Sequence, residues 1–281
     1  MNFKKYWKRA ALLGTLVLAL GVVAGCGGDD SADKATASNP DAKVVNVATR
    51  GTSKPFSYTN DDGTLTGYDV EILKEVERRD PSLKFNFKPM SVDAAFVAMD
   101  AGQVDMIANQ MRNNPQRAAK YIITKEINNY TDRRLVVKKG RTDIHSLKDL
   151  EGKNVVATTN SEFADLLKQY NETAATPINI IYTDKASVET LNLVATGRAD
   201  AAGEYDYIIT TAQKERNLPV EAVGDTLTSV PTYFVVRKDP EMQKVADKID
   251  AQVKAMREDG TLKKLSEQYL GGDYTVEPAK K

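Results

Sequence analysis

Side chains that commonly build active sites are scarce in this sequence. Its 281 residues include one cysteine, Cys26, and one histidine, His145. A single cysteine excludes an intramolecular disulfide and a metal site made of several cysteines, and His145 lies in a charged stretch without a partner motif. The sequence also has no glycine-rich nucleotide loop and no metal-binding spacing. We therefore expect no enzymatic activity, no cofactor and no bound metal.

An excess of charge of either sign is also absent. The chain has 39 basic and 39 acidic residues. Residues 1–25 hold four of the basic residues and none of the acidic ones, which leaves 35 basic and 39 acidic residues and a net charge of −4. This mild acidity argues against nucleic acid as a partner and against strong electrostatic binding to anionic lipid.

The one extended apolar run lies at the N terminus. Four basic residues within the first nine positions precede an apolar stretch from Ala10 to Ala24. This stretch is shorter than the roughly 20 apolar residues that span a bilayer. Together with its charged start, it predicts a secretory signal peptide at residues 1–25.

The end of this segment, Val23-Ala24-Gly25-Cys26, resembles a bacterial lipobox. On this interpretation Cys26 is lipidated and becomes the new N terminus, so that a lipid anchor connects the protein to the membrane. The alternative is an ordinary signal peptide with an incidental cysteine. Residues 26–42 are small and polar without apolar periodicity, which predicts a flexible tether.

Two successive stretches of the remaining chain alternate between strand and helix patterns. Apolar runs of strand length and apolar stripes of helical spacing occur between residues 44 and 108, and again between 155 and 202. The alternation predicts two α/β lobes with largely parallel sheets covered on both faces. The segments AMDAGQVDMIA (98–108) and LVATGRADAAG (193–203) match each other, which indicates two lobes of one architecture rather than a tandem repeat.

Two extended segments are predicted to connect the lobes. Residues 134–138 and 233–237 look like crossing strands, and hinge bending is expected near 134–138 and 232–236. The resulting limits are residues 43–133 with 234–271 for lobe 1, residues 134–233 for lobe 2, and residues 272–281 for a disordered tail. Ligands of open α/β sheets bind beyond the carboxyl ends of the strands, so a cleft between the lobes is the expected site.

Six blocks along the chain match one known family in the family's own order. They are KPFSY (54–58), LTGYDVEILKEV (65–76), AGQVDMIANQ with NPQR (101–117), IHSLKDLEGKNV (144–155), ATGRADA (195–201) and REDGTLKKLSEQYLG (257–271). Residues 44–270 resemble the extracytoplasmic solute-binding proteins of polar amino-acid ABC importers, the family 3 receptors. Within this family, MIANQ followed by NPQR is most similar to the cystine-type receptors.

The resemblance implies an α/β, two-lobed periplasmic-binding-protein (Venus flytrap) fold with two β-strand hinge crossings. It also implies a receptor that closes on one amino acid, docks on the permease subunits of an ABC importer and works as a monomer. The implied location is the bacterial cell envelope, on the extracytoplasmic side of the membrane.

The resemblance further implies ligand-binding residues in lobe 1. The family's carboxylate-binding arginine falls on Arg117, whose guanidinium can match a carboxylate with two hydrogen bonds; the alternative is a surface arginine at a helix start. The preceding cleft contacts fall on Gln110 and on Arg112, which replaces the common Ser or Thr. Arg112 either adds a positive group to the pocket or points to solvent. Asn109 either faces the cleft or makes a structural contact.

In lobe 2 the family's carboxylate-binding Gly-Thr pair falls near Asn160 and Ser161. Ser161 also fits a helix N-cap, and the two roles are compatible because helix N-termini bind anions. The acid that pairs with the ligand ammonium in the family falls on Tyr205, which is not acidic. Either neighbour, Glu204 or Asp206, could take this role, with Asp206 slightly favoured, or Tyr205 could stack on the ligand.

Three further positions describe the pocket walls. Ser53 stands where many members have an aromatic residue, Arg50 stands where many have aspartate, and Phe56 either lines the lobe 1 wall or belongs to the core. Fewer aromatic residues and more cations favour a polar ligand with a second carboxylate. L-Cystine, which has two amino-acid ends, is the predicted ligand, and glutamate or another polar amino acid is the alternative. A sensory ligand-binding protein and a cleft enzyme on the same fold are alternatives of a different class.

Overall fold

The computed structural model describes residues 39–159, 161–184 and 187–278. The predicted signal peptide, Cys26 and most of the predicted tether lie outside these residues. Within this part of the chain, no helix is both long enough and apolar enough to cross a membrane.

The described chain forms short strands and helices in alternation. The strands are β1 (Lys43–Thr49), β2 (Thr52–Ser53), β3 (Ser57–Thr59), β4 (Leu65–Thr66), β5 (Leu83–Pro89), β6 (Met106–Met111), β7 (Ile122–Ile123), β8 (Tyr130–Lys138), β9 (Asn154–Thr158), β10 (Asn179–Thr183), β11 (Ala201–Tyr205), β12 (Val220–Pro231) and β13 (Tyr233–Val236). The helices are α1 (Tyr68–Arg79), α2 (Val92–Asp100), α3 (Pro115–Lys120), α4 (Glu162–Asn171), α5 (Ser187–Ala195), α6 (Asp206–Arg216), α7 (Pro240–Glu258) and α8 (Thr261–Leu270), with a 3₁₀ turn at Lys148–Leu150.

Lobe 1 is built on a five-stranded sheet with the order β5-β1-β6-β13-β7. β1 pairs in parallel with β5 and β6, whereas β13 returns antiparallel to β6 and β7. Helices α1, α7 and α8 cover one face, where Tyr68, Ile72 and Phe234 are fully buried. Helix α2 covers the other face through Ala95 and Met99. The apolar runs of these strands are therefore buried from both sides, as a parallel sheet requires.

Lobe 2 is built on a second five-stranded sheet with the order β10-β9-β11-β8-β12. β9 pairs in parallel with β10 and β11, and β8 runs antiparallel to β11 and β12. Helix α4 covers one face through Phe163 and Leu167. Helices α5 and α6 cover the other face through Leu191 and Ile209. The predicted α/β lobes with largely parallel sheets are thus present.

The two lobes repeat one arrangement of strands. The order is β5-β1-β6 followed by β13 in lobe 1, and β10-β9-β11 followed by β8 in lobe 2. Strands β13 and β8 arrive from the other lobe. Without them, each sheet has its second, first and third strand side by side in that order. The matching segments 98–108 and 193–203 occupy equivalent places, each with a helix end, a glycine and the third strand. Gly102 and Gly197 both adopt the left-handed conformation, with φ of 71° and 74°, which favours glycine at both turns.

An aspartate follows each of these glycines and ties the third strand of the lobe to the first. The carboxylate accepts the N–H of an asparagine in the first strand, at 2.9 Å in lobe 1 and 2.8 Å in lobe 2. It also forms an ion pair with an arginine, at 2.9 Å and 2.7 Å. The groups are Asp105, Asn46 and Arg237 in lobe 1, and Asp200, Asn154 and Arg141 in lobe 2. These contacts confirm the shared architecture that the two matching segments indicated.

The chain changes sheets at two places, and the sequence-based positions need correction. β7 ends at Ile123 in lobe 1 and β8 begins at Tyr130 in lobe 2, so the first crossing lies between them; the second lies at Thr232. Residues 134–138, predicted to cross, lie inside β8 and pair with β11 and β12. Residues 233–236 lie inside β13 in lobe 1. Both segments stay within one lobe because their apolar side chains are buried in its core.

The two crossings are hydrogen-bonded to each other. The N–H of Asn128 donates to Thr232 O at 2.9 Å, and the N–H of Thr232 donates to Asn129 O at 2.9 Å. Thr232 Oγ1 also donates to Asn129 Oδ1 at 2.7 Å. Two adjacent extended crossings are the usual construction of a hinge between domains.

Residues 272–275 are packed against the protein, which contradicts the predicted disordered tail in this range. Tyr274 O accepts the N–H of Tyr130 at 2.7 Å, the N–H of Tyr274 donates to Ser266 Oγ at 2.9 Å, and Thr275 is 5% exposed. All of these partners come from other parts of the chain. The polar local composition of the segment could not reveal them.

Candidate ligand-binding cleft

Three connections from a strand to a helix meet between the lobes. In lobe 1 β6 leads into α3, which Asn114 caps by accepting the N–H of Arg117 at 2.8 Å. In lobe 2 β9 leads into α4, which Ser161 caps by accepting the N–H of Ala164 at 3.1 Å, and β11 runs directly into α6. Such caps fix where a helix begins. We call the groove between these three connections the cleft.

Arg112 reaches across the cleft from the end of β6. Its guanidinium donates to the Glu162 carboxylate and to the Tyr205 hydroxyl, both of which belong to lobe 2. The side chains of Arg112 and Glu162 are 31% and 56% exposed, so solvent reaches both charges. Of the two alternatives for Arg112, the structure therefore has the side chain in the cleft.

A second guanidinium, that of Arg133 in β8, lies against the same tyrosine. It is 4.2 Å from the Tyr205 ring centroid, its Nη1 donates to Gly203 O at 3.1 Å, and its Nη2 is 3.8 Å from Glu162 Oε2. The Arg133 side chain is 9% exposed, and its Nε has no hydrogen-bond partner among the described residues. A buried cation with an unused donor favours an additional anionic partner.

A row of three aromatic rings leads from lobe 1 to these cations. Tyr205 and Tyr207 are stacked, with ring centroids 5.8 Å apart and an interplanar angle of 7°. Phe56 meets Tyr207 edge-on at 4.7 Å and 78°. Phe56 is buried in the core of lobe 1, so it supports the lobe 2 ring from behind. The row supplies apolar surface beside the charged groups.

Arg117 has no acidic partner in the described part of the chain. Its Nη1 donates to Arg112 O at 2.7 Å, and its guanidinium lies 5.5 Å from the Phe96 ring centroid. No carboxylate of the described residues lies within ion-pair distance of it. A half-buried guanidinium without an acid is in the state that a carboxylate-binding residue needs before its ligand arrives.

Gln110 connects three elements at the base of lobe 1. Its N–H donates to Asp69 Oδ2 at 2.9 Å, and its Nε2 donates to Asp69 Oδ1 at 2.6 Å and to Asn129 Oδ1 at 3.0 Å. The backbone of Gln110 is left-handed, with φ of 52°, where the pairing of β6 with β13 is irregular. Bulges and unusual backbone conformations of this kind often lie beside functional sites.

These contacts limit what Gln110 can offer to a ligand. Both hydrogens of its Nε2 are used within the protein, whereas Oε1 is buried and has no partner among the described residues. Asp69 is completely buried, and this burial raises the pKa of its carboxyl to about 7. The contacts hold Asp69 in the interior of lobe 1 and leave Gln110 an acceptor in this conformation.

The remaining predicted residues beside the cleft differ in their surroundings. Asn109 is buried in β6 at 8% exposure, and Ser161 is the N-cap described above. Asn160 lies outside the described residues. Arg50 is exposed and forms no ion pair within the described chain, and Ser53 lies in β2, where its carbonyl accepts the N–H of the buried ring residue Phe56 at 2.9 Å.

The two acids beside Tyr205 have other surroundings than Glu162. Glu204 is 6% exposed and hydrogen-bonded to Ser187, and burial raises the pKa of its carboxyl. Asp206, the first residue of α6, lies with Tyr274 beside the first crossing, and burial raises the pKa of its carboxyl to about 6. No hydrogen bond or ion pair in the described chain joins either acid to Arg112.

Sequence reasoning missed three residues of this cleft: Glu162, Arg133 and Tyr207. Glu162 follows Ser161 directly, so an acid in the first turn of a predicted helix was visible, but helix-dipole stabilisation explained it equally well. Arg133 and Tyr207 carry no local signal. Their position depends on the antiparallel register that sets Arg133 opposite Tyr205.

A second inter-lobe groove lies on the far side of Tyr207. It has a volume of about 350 Å³, and its lining includes Lys54, Tyr58, Glu215 and Tyr269. Lys54 in lobe 1 and Glu215 in lobe 2 form an ion pair across it at 2.6 Å. None of the ligand-binding residues predicted from the sequence lines this groove.

No metal centre is found within residues 39–159, 161–184 and 187–278, where no group of three or more His, Cys, Asp or Glu side chains is arranged to hold an ion. The histidine, His145, is exposed, with its ring Nε2 3.1 Å from Thr142 O.

Comparison with known proteins places this geometry in a family. The profile of the bacterial extracellular solute-binding proteins, family 3, matches residues 45–272. The chain is 35% identical over 261 residues to the L-cystine-binding protein TcyJ of Bacillus subtilis (strain 168), which covers 92% of this chain and 96% of that protein.

Solved structures give the same result. The probable amino-acid ABC transporter extracellular-binding protein ytmK from Bacillus subtilis is similar with a TM-score of 0.75 and 32% identity, over 83% of this chain and 100% of that one. The L-cystine solute receptor of Neisseria gonorrhoeae, in its unliganded open conformation, is similar with a TM-score of 0.73 and 28% identity, over 85% of this chain and 97% of that one.

The family match covers nearly all of the folded chain and confirms the predicted two-lobed α/β fold. The family consists of solute-binding receptors that act outside the cytoplasm. The chain belongs to the bacterial extracellular solute-binding proteins of family 3.

Proposed function

We propose that this protein captures one amino acid outside the cytoplasmic membrane and delivers it, chemically unchanged, to the permease of an ABC importer. The observation that carries the proposal is the family match over residues 45–272, together with similarity to several proteins named L-cystine-binding proteins. The cleft supports it, because cations from lobe 1 face an acid and aromatic rings from lobe 2. A zwitterion that bridges these groups would draw the lobes together.

The proposed ligand is L-cystine. Its two carboxylates match a cleft with several guanidinium groups, and its central chain can pack on the stacked rings of Tyr205 and Tyr207. Glutamate also has two carboxylates and is the alternative ligand of the same class. The two ligands differ in net charge, since cystine has one ammonium group for each carboxylate, whereas glutamate has one ammonium group for two carboxylates.

One carboxylate of the ligand would bind between the lobes. On lobe 1 we assign it to Arg117, which has no acidic partner in the described chain, with Arg112 beside it. On lobe 2 the free N–H groups at the start of α4, beside Ser161, would complete its coordination. The arrangement joins a paired-donor guanidinium to a helix N-terminus, and both favour a carboxylate.

Closure would occur by bending at the two adjacent crossings, residues 124–129 and Thr232. These residues are hydrogen-bonded to each other and, through Asn129, to Gln110 at the end of β6. A ligand shifts such an equilibrium only by its extra affinity for the closed state. Groups from both lobes must therefore contact it, as the cleft arrangement allows.

We further propose that a lipid on Cys26 anchors the protein to the membrane and that residues 27–42 form the tether. The support is the lipobox-like sequence, which lies outside the described residues. In this proposal lobe 1 comprises residues 43–123 and 233–271, lobe 2 comprises residues 130–231, and the receptor works as a monomer.

A thermal-shift screen tests the proposed function. The purified protein is heated with each of the twenty amino acids, with L-cystine and with D-cystine as the matched control. A ligand at 100 times its dissociation constant stabilises the folded state by about 2.7 kcal/mol, which raises the melting temperature by several degrees. We expect this shift with L-cystine and not with D-cystine.

Other outcomes have definite meanings. A shift with glutamate and none with L-cystine would retain the receptor and overturn the cystine assignment. No shift with any amino acid would overturn the proposed function.

A further inference from the structure

The cleft lacks an acid at the position where the resemblance places the partner of the ligand ammonium. Tyr205 occupies that position. Of the two neighbouring acids, Glu204 is buried, hydrogen-bonded to Ser187 and interacts electrostatically with Arg133, and Asp206 lies beside the first crossing. An amino acid without an acidic partner for its ammonium would leave a charge without compensation in a partly dry cleft.

Glu162 places a carboxylate at the missing position from another element. Its Oε2 lies 3.4 Å from the Tyr205 hydroxyl and 3.8 Å from Arg133 Nη2, and its Oε1 accepts from Arg112. The Tyr205 hydroxyl is thus in contact with both Arg112 and Glu162. Glu162 belongs to the start of α4, but its carboxylate lies beside the hydroxyl end of the Tyr205 side chain.

A guanidinium donor at this point is left unused. Arg112 and Arg133 both pair with the carboxylate of Glu162, and the buried carboxylate of Glu204 also acts electrostatically on Arg133. Arg133 is nine-tenths buried, and its Nε has no hydrogen-bond partner among the described residues. The cluster therefore offers one buried, unused donor beside an exposed ion pair, and this donor favours an incoming carboxylate.

A zwitterion can replace the ion pair between Arg112 and Glu162 with two new ion pairs. Its ammonium takes the Glu162 carboxylate, and its carboxylate takes the guanidinium that Glu162 releases. A ligand with carboxylates alone would leave Glu162 facing a second acid, and a ligand with ammonium groups alone would face two cations. The cluster is thus complementary to an amino-acid end in particular.

We propose that Glu162 is the carboxylate that binds the ligand's ammonium group, and that in the unliganded protein Arg112 and Arg133 hold it in place. This inference rests on the proposed function and answers which acid serves the ammonium. Glu162 acts as a specificity residue because it competes with the ligand's carboxylate for Arg112 and attracts the ligand's ammonium.

Paired ligands test the proposal with the full chain purified in a mild detergent. Dissociation constants are measured for L-cystine and for 3,3′-dithiodipropionate, which is cystine without its ammonium groups, on wild type and on Glu162→Gln. We expect Glu162→Gln to weaken L-cystine binding by about tenfold or more, since a charged partner is lost. Binding of 3,3′-dithiodipropionate becomes tighter, because Arg112 and Arg133 are freed from an internal competitor.

A rescue variant excludes a general defect. The double variant Glu162→Gln with Tyr205→Asp returns a carboxylate to the same part of the cleft, now from the end of β11. Its affinity for L-cystine is expected to be severalfold higher than that of Glu162→Gln alone. Asp165→Asn, at an exposed site on the same helix α4, is the matched control and is expected to leave both dissociation constants within about twofold of wild type.

The opposite signs for the two ligands decide the outcome. If Glu162→Gln weakened or strengthened the binding of both ligands alike, Glu162 would only connect the two lobes and the proposal would be overturned. It would also be overturned if L-cystine binding did not change. If wild type bound glutamate instead, the same comparison with glutarate applies, and a wild-type chain that bound no amino acid would overturn the proposed function as well.

Discussion

The first α-helix of each lobe has an acidic residue in its first turn, Asp69 in α1 and Glu162 in α4, and the two acids have opposite surroundings. Asp69 in α1 is 0% exposed and is held by Gln110 of its own lobe. Glu162 in α4 has a side chain that is 56% exposed and pairs with Arg112 of the other lobe. Both partners come from the end of β6. One strand end therefore serves both the interior of lobe 1 and the contact between the lobes.

The difference shows how a repeated architecture acquires a site. Both lobes keep the same strand order and the same aspartate that ties the third strand to the first. They differ at the strand ends and helix starts that face each other. Lobe 1 brings the guanidinium groups of Arg112 and Arg117 to the cleft, whereas lobe 2 brings a carboxylate, aromatic rings and the buried guanidinium of Arg133. Complementary charge between two similar lobes is what a zwitterionic ligand requires.

The lobe 1 side of this comparison predicts the largest effect. Arg117→Ala removes the guanidinium that has no acidic partner in the described chain, and we expect a loss of about 2–5 kcal/mol in amino-acid binding free energy. Titration calorimetry measures it. Lys120→Ala, on the same helix and exposed, is the control. Affinity of Arg117→Ala within twofold of wild type would remove Arg117 from the site.

The two first-turn acids should differ in their effect on stability. Asp69→Ala leaves two donors of Gln110 without an acceptor in a buried place, at a cost of about 1–3 kcal/mol for each donor in the free energy of unfolding. Glu162→Ala breaks a solvent-exposed pair and should cost less than about 1 kcal/mol. Urea unfolding curves measure both values. Equal losses would contradict the contrast between a structural acid and a cleft acid.

The burial of Asp69 also predicts a pH dependence of stability. Burial raises the pKa of its carboxyl to about 7 in the folded state, whereas the unfolded value is about 4. The folded state therefore holds a proton that the unfolded chain releases between these values. The contribution of Asp69 to stability is full below about pH 4 and is lost as the pH rises through 7, at roughly 1.4 kcal/mol per pH unit.

Comparison of wild type with Asp69→Asn isolates this contribution. Urea unfolding at pH 5, 6, 7 and 8 should show a steeper fall in stability for wild type than for the variant. Parallel curves over this range would mean that Asp69 keeps its ordinary pKa.

A further pair of substitutions tests the equivalence of the lobes. Gly102 and Gly197 occupy matching left-handed turns, and a Cβ added at either meets no atom within 4 Å. Substitution by alanine should therefore cost only the left-handed backbone strain, about 1–2 kcal/mol at each site. Thermal unfolding of the two variants measures it. Losses that differed by more than about 1 kcal/mol would show that the two turns are not equivalent.

The sequence predicted the fold well because the fold depends on local patterns. Strand-length apolar runs, helical stripes and glycine stops occur within ten or so residues, and the helices and strands lie close to the predicted positions. The crossing was placed too late because residues 130–138 form one continuous strand. Only pairing with β12, about 90 residues further along, decides which lobe it joins. The prediction of a disordered tail was wrong for a similar reason, since the contacts of this segment with Tyr130, Arg257 and Ser266 depend on tertiary packing.

The site was predicted less completely than the fold. Arg112 was a candidate because the family resemblance placed a cleft contact there, but the direction of its side chain depends on Glu162, which is 50 residues away. Gln110 was expected to serve the ligand, yet its amide nitrogen is held by Asp69 and Asn129. Side-chain partners across a cleft are set by tertiary packing, so no local pattern could assign them.

Equilibrium dialysis of the wild-type protein against isotope-labelled L-cystine tests the central claim most directly. We expect saturable binding of one L-cystine per chain. Unlabelled L-cystine should displace the bound label, whereas D-cystine and L-glutamate at the same concentration should not. Absence of saturable binding, or equal displacement by D-cystine, would contradict a stereospecific amino-acid site between the two lobes.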